Sequence, residues 1–142
     1  MISIFIINSI VVVAIVLIHS QILYSLSLNI PELKINRQFK VSISVLAIIT
    51  AHVVEVWIFA IVYFLLITYT NLGTLTGDFN GSLMDCSYFS FTSYTSLGIG
   101  DIVPSGHIRF LVGLEVLTGL VMITWSASFL YLEMKKLWNK KH

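Results

Sequence analysis

Charge is what this sequence has least of. Only 11% of its 142 residues are charged, against about 25% in an ordinary soluble domain. Hydrophobic residues make up 57%, too many for a small water-soluble fold to hide. A bilayer is the solvent that suits such a chain. The near balance of signs, net +1, provides no global field to attract nucleic acid. Cysteine is almost absent: Cys86 stands alone, which excludes an intramolecular disulfide. Proline is scarce too, and Pro31 reads as a break between two apolar runs. No polar segment is long enough to bury a core of its own. Regularly spaced arginines, the mark of a voltage sensor, are missing from every apolar run. So are a phosphate loop and a nucleophile beside a base, and no enzyme is expected. The expectation is a single membrane domain with nothing appended.

The apolar stretches set the organisation. Ile2 to about Leu28 exceeds the roughly 20 residues that cross a hydrocarbon core. It lacks the basic start, the short apolar region and the small-residue cleavage site of a signal peptide, so it reads as a span. A linker from Asn29 to Lys40 carries Glu32, Lys34, Arg37 and Lys40. The second span runs from Val41 to about Tyr69, and the third from Ile108 to about Met134. Between them, Asn71 to Ser82 has loop composition. Leu83 to Thr95 is aromatic and too short to cross. Between two spans it reads as a re-entrant segment, which needs protein or a watery cavity over its backbone. The domains expected are therefore 1–40, a first helix with its linker, and 41–142, a module of two spans around the re-entrant loop.

Basic residues orient the chain. Lys34, Arg37, Lys40 and the tail lysines Lys135, Lys136, Lys140 and Lys141 fall on one side of a three-span arrangement, and Arg109 alone on the other. The positive-inside rule puts the linker and C-terminus in the cytoplasm and the N-terminus outside. Tyr69, Tyr131 and Trp138 suit interfacial anchoring.

The informative motif is Thr95, Ser96, Leu97, Gly98, Ile99, Gly100, Asp101, with Pro104 following. A dehydrating cation needs oxygens to replace its water, and backbone carbonyls serve if they all point one way. Alternating glycines permit the positive φ values that such a strand requires. The stretch resembles the potassium-channel signature, commonly Thr-Thr-Val-Gly-Tyr-Gly-Asp with a proline three residues on. The resemblance extends over Val41 to about Met134, the two-helix pore module, and the extra first helix is similar to that of small bacterial ion-channel-family proteins.

The resemblance implies an all-α membrane protein with three transmembrane helices, a re-entrant pore helix and a filter loop, assembled as a homotetramer in the plasma membrane. It implies that the carbonyls of Ser96, Leu97, Gly98 and Ile99, with the Ser96 hydroxyl, line ion sites closed by Gly100. Thr95 would support the filter and Asp101 would draw cations to its outer mouth. The conducted ion would be K+, with Na+ the competing candidate, and no other cofactor is called for. Ser96 departs from the usual Thr, Leu97 from Val, and Ile99 from an aromatic that braces the filter in the family. Ile99 predicts a softer preference for K+ over Na+ and leaves a nonselective monovalent cation channel of the same architecture as the near alternative.

Gly119 falls where the family's inner helix bends, if one residue is missing between Pro104 and Arg109. Packing against a neighbouring helix is the alternative there and the expectation for Gly113. Thr124, Ser128 and Leu132 form a mixed stripe suited to an aqueous cavity or a helix contact. Ionisable residues within spans usually face protein or water. His52 and Glu55 share a helix face. His19 lies at about the same depth, roughly 25 Å below the outer end of its span at 1.5 Å per residue. The three could form a hydrogen-bonded clasp, a proton-sensitive gate or a metal site. The last defines a reading of another class, an intramembrane metal- or haem-binding protein. Glu115, level with the pore helix, is expected to accept hydrogen bonds from Tyr94 or Ser93. A non-conducting subunit, or a channel gated by a separate regulatory partner, also fits the sequence.

Overall fold

The computed structural model describes the backbone of residues 2–139 and the side chains of residues 4–136. The anchoring expected of the Trp138 side chain, and the tail residues Lys140, Lys141 and His142, lie outside the described residues. Among the described residues, three helices are long and apolar enough to cross a membrane: α1 (Ile2–Glu32), α2 (Arg37–Tyr69) and α4 (Ile108–Asn139). The short α3 (Leu83–Tyr94) sits between α2 and α4 in the chain. It packs against both, and α1 also packs against α2 and α4 of its own chain.

The linker is shorter than expected. α1 runs through Pro31 to Glu32 and α2 begins at Arg37, so only 33–36 separates them. Proline removes one backbone donor and crowds the turn before it. One residue from a helix end that costs little, and Lys40 Nζ compensates by donating to the Pro31 carbonyl at 2.8 Å. A cation at a helix C-terminus also meets the favourable end of the helix dipole.

Each long helix is apolar on nearly every side, and burial selects one stripe. In α1 this is Ile4, Asn8, Val11, Ile15, His19 and Leu23, a repeat of three and four residues that tracks one helical face. The opposite residues Phe5, Ile10, Val13 and Leu17 remain exposed, as suits lipid contact. In α4 the buried stripe includes Ile108, Leu111, Glu115, Thr118, Met122 and Ser126.

Two strands stand where only loop was expected. β1 (Leu75–Gly77) and β2 (Ile102–Pro104) pair antiparallel, with Thr76 opposite Val103. Asp78 N donates to Asp101 O at 3.0 Å, and Ser105 N to Thr74 O at 2.9 Å. This ribbon ties the segment before α3 to the segment after the filter motif. Gly77 permits the closure: a β-carbon there would stand 2.1 Å from the Asp101 carbonyl oxygen.

Candidate functional site

The site is built on α3. Its start is set by a capping box, in which Ser82 accepts from Asp85 N at 3.0 Å while the Asp85 carboxylate accepts from Ser82 N. Asn80 N donates to the same carboxylate at 2.9 Å. The Asn80 and Ser82 donors hold the Asp85 carboxyl below its ordinary value. The signal was present in the sequence as Ser-x-x-Asp before an apolar run.

Two buried carboxyl groups hold the inner face of α3. Glu115 accepts from Tyr63 Oη at 2.6 Å and from Ser90 Oγ. Ser90 also approaches the Val56 carbonyl at 2.9 Å. The partners expected for Glu115, Tyr94 and Ser93, are not the ones found. Ser90 lies one turn before Tyr94, opposite Glu115, and the Tyr94 hydroxyl donates to Glu55 instead. Tyr63 and Ser90 carried no signal in the sequence, since a tyrosine and a serine in apolar helices are ordinary.

Glu55 is the centre of the second anchor. His19 Nδ1 lies 2.7 Å from its Oε1, and His52 Nδ1 lies 3.2 Å from its Oε2 and 3.1 Å from Tyr94 Oη. Ser126 Oγ stands 3.1 Å from His19 Nε2 and 3.2 Å from His52 Nε2. The two imidazoles are stacked, with centroids 5.3 Å apart. His19, Glu55, Tyr94 and Ser126 are all buried. The cluster therefore joins all four helices. Ser126 was missed for the same reason as Ser90.

His19, His52 and Glu55 are close enough in composition and spacing to invite a metal. Bond lengths of 2.0–2.2 Å around a tetrahedral ion set donors about 3.3 Å apart. The 2.7 Å between His19 Nδ1 and Glu55 Oε1 is a hydrogen-bond distance. Both nitrogens of each ring are engaged inside the cluster, which leaves none free for the axial bond of a haem.

Beyond Tyr94 the chain turns away from helix. Thr95 N donates to Phe91 O, Ser96 N to Ser93 O at 2.9 Å and Gly98 N to Thr92 O at 3.0 Å. Positive φ recurs at every second residue: Ser96 at 55°, Gly98 at 54° and Gly100 at 88°. Ser96 is the one non-glycine residue so placed among those described. The β-carbon positions of Gly98 and Gly100 face open space, while Leu97 and Ile99 are 67% and 56% exposed. Ile99 borders a cleft of about 260 Å³ shared with Phe89, Thr92 and Val116. Asp101 accepts from Tyr88 Oη at 2.7 Å. That bond raises the Tyr88 phenol above its ordinary value.

Gly119 packs closely. A β-carbon there would lie 2.1 Å from the Tyr94 carbonyl oxygen. Gly113, expected to pack, has no heavy atom within 4 Å of such a position and faces away from the chain's own core. Thr124, Ser128 and Leu132 are exposed along one side of α4.

A short capped helix braced by buried carboxyl groups between two spans, leading into a loop of alternating backbone handedness, defines a multi-pass membrane protein of the pore-loop class. A family model described as "Ion channel" matches residues 11–135, and the chain belongs to that family. The match takes in most of α1 as well as the pore module. No curated protein and no solved structure matches the chain. Members of the family are channels rather than enzymes and act as oligomers.

Proposed function

We propose that the chain forms a homotetrameric channel that conducts K+ across the plasma membrane, with its N-terminus outside and its C-terminus in the cytoplasm. The carrying observation is the alternation of positive φ at Ser96, Gly98 and Gly100 directly after a re-entrant helix. Alternating handedness turns successive carbonyls to one side of the strand, whereas an ordinary strand sends them to both. A column of such carbonyls replaces the hydration shell of a monovalent cation. On this reading Ser96, Leu97, Gly98 and Ile99 supply the oxygens, Thr95 and Gly100 bound them, and Asp101 collects cations at the mouth. Residues 41–142 form the pore module and 1–40 the flanking helix with its linker.

One loop supplies one wall. The exposed Leu97 and Ile99 side chains need apolar cover, and three further copies around an axis supply both the cover and the remaining walls. The second reading, a nonselective monovalent cation pore, is favoured by Ile99 alone. It leaves the cleft beside it unfilled and has no polar atom with which to brace the filter.

Rubidium uptake into liposomes holding the purified protein, driven by a potassium gradient, tests the proposal. Uptake that withstands excess sodium is the expected result. Uptake suppressed equally by sodium would establish the nonselective pore. Absence of uptake in both wild type and Ile99→Tyr would overturn conduction.

A further inference from the structure

The cluster around Glu55 is one proton short as long as both imidazoles are neutral and the carboxylate is ionised. In that state four protons are available, one on each ring and one on each hydroxyl. Tyr94 Oη spends its proton on Glu55 Oε2. The 2.7 Å contact of Glu55 Oε1 takes the proton of His19 Nδ1. His19 Nε2 then has a lone pair and takes the proton of Ser126 Oγ. Only the His52 proton remains. Placed on Nε2, it serves Ser126 Oγ at 3.2 Å. The Nδ1 lone pair then faces Glu55 Oε2 at 3.2 Å and Tyr94 Oη at 3.1 Å with no hydrogen between. Placed on Nδ1, it leaves Nε2 facing the Ser126 lone pair.

One added proton removes the conflict. Carried on His52 Nδ1, between Glu55 Oε2 and Tyr94 Oη, that proton gives every close contact a hydrogen. It also brings the net charge of the cluster from −1 to zero, which matters inside a membrane, where an uncompensated charge is costly. The titratable groups that meet here are His19 from α1, His52 and Glu55 from α2, and Tyr94 from α3. From α4 the cluster receives Ser126 and Trp125, neither of which titrates, and Glu115 sits one turn back along α3 at Ser90. Of the titratable groups His52 is the least enclosed, with 19% of its side chain exposed in the single chain.

We propose that His19, His52, Glu55, Tyr94 and Ser126 form a single-proton binding site that couples pH to the filter through the last residue of the pore helix. Tyr94 immediately precedes Thr95 and Ser96. Its hydroxyl is held by the cluster and its carbonyl is wedged against Gly119. With the proton bound, Tyr94 is fixed and the filter base is held in its conducting position. When the proton leaves, the lone pairs of His52 Nδ1 and Glu55 Oε2 face each other, Tyr94 keeps Glu55 but loses His52 as its second partner, and flux falls. This coupling rests on the channel reading; the proton site does not.

Two measurements separate them. In bilayers, magnetic resonance of protein labelled at histidine nitrogen and glutamate carboxyl carbon follows the cluster from pH 5 to 9. The His52 ring and Glu55 carboxyl are expected to shift together in one single-proton step that Tyr94→Phe preserves. Signals that stay fixed across that range, or that shift at separate pH values, would overturn the proton site. In liposomes, wild-type rubidium uptake is expected to fall at least about fivefold over the same step, the lower end of ordinary site-to-site coupling, and to lose that dependence in Tyr94→Phe. A resonance step with pH-independent flux would overturn the coupling alone. No flux at any pH, in a protein that shows the resonance step, would overturn the channel reading and the coupling with it.

Discussion

At Gly119 the α4 backbone passes so close to Tyr94 that no side chain fits between them. Gly119→Ala must push α4 off the end of the pore helix, and overpacking of this kind costs about 1–3 kcal/mol. Thermal unfolding of the purified protein in detergent should register the loss. A hinge without packing would instead change gating and leave stability intact. Asn8 presents the opposite case. It is 1% exposed, and neither side-chain polar atom has a partner among the described residues. A buried amide left unpaired costs about 1–3 kcal/mol, so Asn8→Leu, which keeps the branching at Cγ, is expected to raise the unfolding temperature. Ile99 faces a cleft rather than a partner. Ile99→Tyr should fill it and increase the K+ over Na+ permeability ratio, measured as a bi-ionic reversal potential. An unchanged ratio would mean that the identity of this side chain does not set selectivity.

The element that matters most is α3. It is too short to be stable alone, and its position depends on its ends and on two carboxyl groups beneath it. Ser82→Ala removes the cap, which is worth about 1 kcal/mol, and should loosen the first turn, seen as faster amide hydrogen exchange at Asp85 and Cys86. Acid should act on the same turn. The Asp85 carboxyl titrates below its ordinary value when folded, so its contribution is complete above the ordinary carboxylate pKa. It is lost as pH falls through the lower folded value. Exchange in this turn should therefore quicken as pH falls below the ordinary carboxylate range, and Asp85→Asn should abolish that dependence. Further along, Tyr63→Phe removes a 2.6 Å hydrogen bond to the Glu115 carboxyl. An intramolecular hydrogen bond contributes about 0.5–1.5 kcal/mol. The variant should unfold at lower temperature, and unchanged stability and flux would show that Glu115 does not need this donor to seat the helix.

For the whole molecule the decisive feature is incompleteness. A single chain leaves the filter side chains, the Thr124 and Ser128 side of α4 and the cleft at Ile99 uncovered. Native mass spectrometry from detergent is expected to find four times the 16.0 kDa chain. A stable monomer or dimer as the largest species would contradict the proposed tetramer.

Much of this was legible along the chain because the physics involved is local. Apolar runs long enough to cross a bilayer declare themselves by length and composition. Alternate glycines at 98 and 100 declare a backbone that must visit positive φ. The short aromatic segment between two spans could be little else than re-entrant. What the sequence could not state was which face of each span turns inward. In α1, Ile10 is exposed and Val11 is buried, yet the two residues are about equally apolar, and no periodicity separates them. Hydrogen-bond partners were hidden for the same reason. His19 could be placed at the depth of His52, but Ser126 and Tyr94 became its companions only when α4 and α3 packed against the pair. The exchange of expected partners at Glu115, Ser90 and Tyr63 for Tyr94 and Ser93, has the same origin. Local chemistry determined the spans and the loop. The contacts that hold the loop in place were decided by tertiary packing, because they join residues far apart in sequence whose meeting depends on helix rotation, to which a uniformly apolar surface is indifferent.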